Sequence, residues 1–114
     1  MKYIMKDKVV IVVRNDFSDA PGARYRKEGP HSGEEFYETL LKPKYEEAVE
    51  RKVPLVIDLD GVWGYPSSFV SGSFGKLSIE YGEENVLKVL DLQSRESETR
   101  KDRIISEIKK PERK

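Results

Sequence analysis

The chain has 114 residues, enough for one domain and not comfortably for two. Its 21 Lys and Arg balance its 21 Asp and Glu, so net charge gives no reason to expect nucleic acid or an acidic substrate. It has no cysteine, which removes disulfides, thiolate metal sites and thiol nucleophiles and fits a reducing, cytoplasmic setting.

Near the start, Lys8-Val9-Val10-Ile11-Val12-Val13 is nearly all β-branched and predicts a strand buried on both faces. The run is too short for a signal-peptide core or a membrane span. Lys2 to Lys6 is expected as a short partner strand. Arg14 to His31 is rich in Gly, Pro, Asp and Arg. It is a long connection, of the kind that often carries function, and a further strand is expected within it near Ala23 to Lys27.

Ser32-Gly33-Glu34-Glu35 is a capping box. The Ser32 hydroxyl is placed to accept from the Glu35 amide, and the Glu35 carboxylate to reach back to the Ser32 amide. The helix that starts there carries Phe36, Leu40, Leu41, Tyr45, Ala48 and Val49 at helical spacing. Pro43 predicts a kink or a restart in it. Val53 to Leu59 is a second buried strand, with Pro54 tolerated at its start. Residues 67 to 81 predict a second helix, with Val70, Phe74, Leu77 and Tyr81 on one face and Gly82 as its stop. Val86 to Leu92 reads as a third strand. A last helix is expected from about Ser97 to Lys110, with Ile104, Ile105 and Ile108 as its apolar face and Pro111 at its end.

Alternating strands and helices imply an α/β layer with a parallel or mixed sheet. In such sheets functional groups gather where strands end and helices begin. Residues 60 to 69 lie at such an edge, where Ser67 and Ser68 open a helix. Unpaired amides and the helix dipole favour negative charge there. Two readings of the serines stand side by side: Ser67 as an ordinary N-cap, and Ser68, then Ser67, as a phosphate acceptor whose added charge breaks a docked interface. Trp63 and Tyr65 are placed in the exposed loop, as anchors for a partner or as a cover for the sheet end. With Pro66, Ser67, Ser68 and Phe69 they make the candidate interface.

Other candidates are weaker. Arg24, Arg26 and Lys27 precede Ser32, and with the amides of Gly33 and Glu34 they are a possible anion-binding loop. The competing reading is a solvated loop. His31, the sole histidine, reads as a loop residue, and the basic tail from Lys109 as a solvated terminus. Asp58 and Asp60 share one face of their strand. They are either a strand-end turn or carboxylates for a hard cation.

Val56-Ile57-Asp58-Leu59-Asp60-Gly61-Val62 resembles the first motif of haloacid-dehalogenase-type phosphatases. That resemblance implies Asp58 as nucleophile and magnesium ligand and Asp60 as general acid/base. That family also needs a later lysine and a distal acidic pair. After Asp60 the only aspartates are Asp91 and Asp102, with no adjacent acidic pair near a strand end, so a small magnesium-dependent phosphatase or hydrolase is the runner-up.

The same edge resembles the STAS domains (sulfate transporter and anti-sigma factor antagonist). Ile57-Asp58-Leu59 matches their strand motif and Ser67-Ser68 their hydroxyl pair, while Pro66 and Phe69 depart from the residues flanking that pair. A wider set of motifs resembles a bacterial STAS-like domain family of unknown function. The set is Pro21-Gly22-Ala23-Arg24, Ser32-Gly33-Glu34-Glu35-Phe36, Leu41-Lys42-Pro43, Ile57-Asp58-Leu59, Ser67-Ser68-Phe69 and Phe74-Gly75. The resemblance implies a single STAS-like α/β domain. Its mixed or parallel sheet would have about four to five strands and three to four helices, with a core over about residues 8–92. It also implies a non-catalytic module, without cofactor and away from membranes. The implied partner is a histidine-kinase-like ATPase of the anti-sigma type, released when that kinase phosphorylates Ser68.

Overall fold

The computed structural model describes residues 7–111. The partner strand expected at Lys2 to Lys6 lies outside them. Three parallel strands, β1 (Val9–Val12), β2 (Leu55–Asp58) and β3 (Leu90–Gln93), lie side by side in chain order. Between and after them come α1 (Val13–Asp16), α2 (residues 33–51), α3 (residues 67–81), α4 (Glu83–Val89) and α5 (Glu98–Lys109).

The register explains the core. Val9, Leu55 and Leu90 make one row and Ile11, Ile57 and Leu92 the next, all on the face that meets the helices. Ile11, Leu55 and Ile57 are completely buried, and each such side chain contributes about 1.5–3 kcal/mol of hydrophobic stabilisation. α2 packs against β1 and β2, and α4 against β3. α5 forms an outer layer through Ile104 and Ile108, both buried against α3 and α4. The alternate residues, Val10, Val12 and Val56, are only half-buried. The double-sided burial expected of β1 is therefore not met within the described residues.

Both long helices contain a wide turn. In α2 the stretch Tyr37–Leu41 is π-helical, and the Lys42 amide reaches the Tyr37 carbonyl five residues back. Pro43 has no amide to donate and its ring crowds the carbonyl four residues back, so the widened turn just before it accommodates the proline. The expected interruption thus takes the form of a π-turn in a continuous helix. In α3 the π-turn is Ser71–Gly75. Here the Ser73 hydroxyl donates to the Phe69 carbonyl at 2.8 Å and competes with the ladder. The two helices meet at their glycines: a Cβ on Gly33 would sit 2.6 Å from the Phe69 carbonyl oxygen.

Two expected strands are corrected. Ala23 to Lys27 is no strand; it enters a 3-10 turn at Arg26–Glu28, closed by the Tyr25 amide on the Glu28 carboxylate at 3.1 Å. Val86 to Leu92 splits into the helix Glu83–Val89 and the short β3. Gly82 does stop α3, with φ +98°, and it also starts α4. Acidic Glu83 and Glu84 then suit the first turn.

The capping box at Ser32 is half as expected. Its hydroxyl accepts from the Glu35 amide at 3.0 Å. The Glu35 carboxylate, however, accepts from the His31 amide at 3.2 Å, one residue earlier than the Ser32 amide. His31 itself is a loop residue with φ +59°.

Candidate functional site

The chain leaves β2 and crosses the sheet end as residues 59–66 before α3. Leu59, Val62 and Tyr65 turn inward and are buried. The Tyr65 hydroxyl donates to the Leu59 carbonyl at 2.9 Å and closes the loop on itself. Arg100, in the first turn of α5, then ties the loop down from outside. It donates to the carbonyls of Leu59 at 3.4 Å, Val62 at 2.9 Å and Trp63 at 3.4 Å, and its guanidinium lies 5.4 Å from the centre of the Tyr65 ring. Arg103 adds a bond to the Tyr65 carbonyl at 3.3 Å. The Trp63 amide donates to the Asp19 carbonyl at 2.8 Å. The backbone of the loop is thus held from two sides, yet the Trp63 indole is 85% exposed.

Tyr65 and Phe69 are corrections to the expected interface. Tyr65 is 4% exposed and Phe69 is fully buried. Phe69 joins an aromatic cluster with Phe36 at 5.5 Å and Tyr65 at 6.1 Å between ring centres. Burial pushes the Tyr65 hydroxyl well above its usual range, with Arg100 pulling it partly back. The exposed part of the expected surface is Trp63, Pro66 and Ser67, with Ser68 half-buried.

The serine assignments also change. The N-cap position of α3 is Pro66, with φ −57°, and Ser67 is already helical. Proline presets the extended entry that a capping serine would otherwise make, so no side chain caps this end. Among the described residues neither the Ser67 nor the Ser68 hydroxyl makes a hydrogen bond. Ser67 opens onto a groove beside α5 that also carries Arg103, Lys109 and Lys110.

Asp58 and Asp60 are the most heavily bonded carboxylates of this edge. Asp58 accepts from Arg14 at 3.0 Å and from the Asp60 amide at 3.0 Å. Asp60 lies past the end of β2. It accepts from the Ser94 hydroxyl at 2.8 Å, the Arg95 amide at 2.8 Å and the Glu96 amide at 3.2 Å. Partial burial works to raise the Asp60 carboxyl, but these three donors and nearby Arg100 outweigh it and hold it below its usual value. A carboxylate whose ionised form is favoured and whose oxygens already accept three hydrogen bonds is poorly suited to general acid catalysis. It is well suited to pinning the β3–α5 connection. Gly61 follows at φ +79°, and its amide donates to Glu96 at 3.0 Å. Among the described residues no group of three carboxylates or histidines comes together as a metal site.

The possible anion-binding loop closes in on itself. The Gly33 and Glu34 amides donate to the Ala23 and Arg24 carbonyls at 2.7 and 2.9 Å. Ser32 and Gly33 are buried. Arg24 donates to the Ser71 hydroxyl at 2.7 Å, and Arg26 pairs with Glu38. No amide of this helix start is left for an anion, and the loop serves as packing against α3.

The structure therefore brings together Trp63, Pro66, Ser67 and Ser68, buries Tyr65, Phe69, Ser32 and Gly33, and engages half-buried Arg24 with Ser71 and exposed Arg26 with Glu38. Sequence reasoning missed Arg100 and Arg103. One signal pointed to Arg100: a cation in the first turn of a helix opposes the helix dipole, which suits a residue held there by tertiary contacts.

A family model described as a STAS-like domain of unknown function (DUF4325) matches residues 32–99. No curated protein and no solved structure matches the chain.

Proposed function

The chain belongs to the STAS-like family of domains of unknown function, and from that premise we propose that it is a non-catalytic interaction module whose docking surface is the Trp63 loop with the start of α3. The observation that carries this reading is the combination of a rigid backbone and an exposed indole: Trp63 is 85% exposed on a loop tied by Arg100, Tyr65 and Asp19. A pre-organised aromatic loses little freedom on binding, and a tryptophan anchor of this kind is worth about 2 kcal/mol or more at an interface. The saturated carboxylates of Asp58 and Asp60 support a structural role for the Asp-x-Asp-Gly segment and weigh against the hydrolase reading.

The partner in this proposal is a histidine-kinase-like ATPase of the anti-sigma type, and the switch is phosphorylation at Ser68. Ser68 lies five residues beyond Trp63 in the first turn of α3, half-exposed and with an unengaged hydroxyl. A phosphate there adds close to two negative charges, about −1.5 to −2 at neutral pH, inside the docking surface.

Affinity capture from the native host's extract with ATP present tests the proposal. The expected result is an ATPase of that class retained by the wild type, released by Ser68→Asp, and phosphate mapped to Ser68. Absence of both the ATPase and the phosphate would overturn it.

A further inference from the structure

The second face of the sheet is a separate surface. Its rows are Val10–Val56–Asp91 and Val12–Asp58–Gln93. The valines are half-buried, and Asp91 and Gln93 are exposed. A groove of about 950 Å³ lies over them, with the Arg14–Asp58 pair at one end. Among the described residues no helix covers this face. Parallel sheets are almost always covered on both faces, and β1 is built of β-branched residues on both sides.

We propose that this face receives an amphipathic helix from a partner protein, with an apolar stripe on Val10, Val12 and Val56 and a cationic flank on Asp91. The dimensions favour a helix. Three strands set about 4.8 Å apart span about 10 Å between the outer two, the diameter of one helix. An added strand is disfavoured at β1, because the outward Val12 amide is already taken by the Asp16 carboxylate at 2.7 Å, which blunts that edge. A second copy laid face to face fits poorly. It sets Asp91 either on the valines or against its own counterpart, and like or unpaired charges at an interface are costly. The charge pattern selects the flank. The apolar side chains gather at β1 and β2, and on β3 stands the exposed Asp91 carboxylate, which accepts from the Gln93 side-chain amide at 2.7 Å and is paired with no cation among the described residues. Carboxylates outnumber cations around the groove.

This surface shares Asp60 and Gly61 with the Trp63 loop but none of the exposed residues of the docking surface, Trp63, Pro66, Ser67 and Ser68, so either can fail alone. The test is titration of the full chain, labelled at valine methyls for NMR, with two helical peptides of about 15 residues. Both carry leucines at i, i+3, i+4 and i+7; one has lysine flanks and its twin glutamate flanks. The expected result is shifts at the methyls of Val10, Val12 and Val56, with the lysine peptide bound about fivefold tighter, the ratio that one or two exposed charge pairs supply. Asp91→Lys, at an exposed position, reverses that preference. Shifts confined to other valines, equal affinity for the twins, no shift at millimolar peptide, or a concentration-dependent shift without peptide would each overturn the proposal.

Discussion

Two connections approach the same region of the molecule and have opposite fates. Residues 17–32 lead into α2, and residues 59–66 lead into α3. Both are irregular, and both carry residues suited to binding. The first spends polar groups on itself and on the helices it meets: the Gly22 amide donates to the His31 carbonyl at 2.7 Å, the Ala23 carbonyl accepts from the Gly33 amide of α2 at 2.7 Å, and Arg24 reaches Ser71 of α3. The second is held just as firmly, but from outside by Arg100, and that leaves its largest side chain in solvent. The end of the first connection, tied to the start of α2 and to α3, becomes packing. A loop held by a neighbouring helix is free to display a side chain.

The contrast predicts that damage to the first connection costs stability, while damage to the tip of the second costs binding. The largest effect is expected from Gly33→Ala. The new methyl meets the Phe69 carbonyl at 2.6 Å and Gly72 beyond it, both backbone, so neither yields easily. A loss of about 3 kcal/mol, at the upper end for overpacking, should be read by denaturant unfolding.

Arg100→Ala comes next. It removes hydrogen bonds to three carbonyls and the stacking on Tyr65. A cost of about 2 kcal/mol follows for a charged, partly buried donor, and Arg100→Lys should recover only part of it because one ammonium cannot reproduce the planar fork. Tryptophan fluorescence should also report a looser Trp63 in Arg100→Ala. Unchanged fluorescence anisotropy there would separate Arg100 from the loop.

Asp60 sharpens the comparison through pH. Its carboxyl is held below its unfolded value, so it stabilises the fold fully above that value, about 3.9, and the contribution is lost as pH falls through the lower folded value. Asp60→Asn should therefore flatten the acid side of the stability profile. An acid limb identical to wild type would mean that the β3–α5 connection does not depend on this charge. Trp63→Ala is the smallest of the set in stability, within about 0.5 kcal/mol, because the indole covers nothing.

Much of this was legible in the sequence because it is local. The β-branched run of β1, the Ser32 cap, the Pro43 interruption and the Gly82 stop each depend on a few neighbouring residues. Val86 to Leu92 was not legible for the same kind of reason. Apolar residues at 86, 87, 89, 90 and 92 satisfy both a strand and a helix period, and the choice falls to Gly82 and the acidic turn after it. The site was harder. Tyr65 and Phe69 flank the exposed residues in sequence, and only packing sends them into the core. Arg100 lies 37 residues beyond Trp63, a separation over which pattern carries no information.

The most direct test is a pair of readings on Trp63→Ala with the captured partner: dissociation constant by calorimetry and midpoint of thermal unfolding. Affinity should fall by about thirtyfold, the equivalent of a 2 kcal/mol anchor, with the midpoint unchanged. Unchanged affinity in a folded variant would contradict the account, and the docking surface would have to be sought away from this loop.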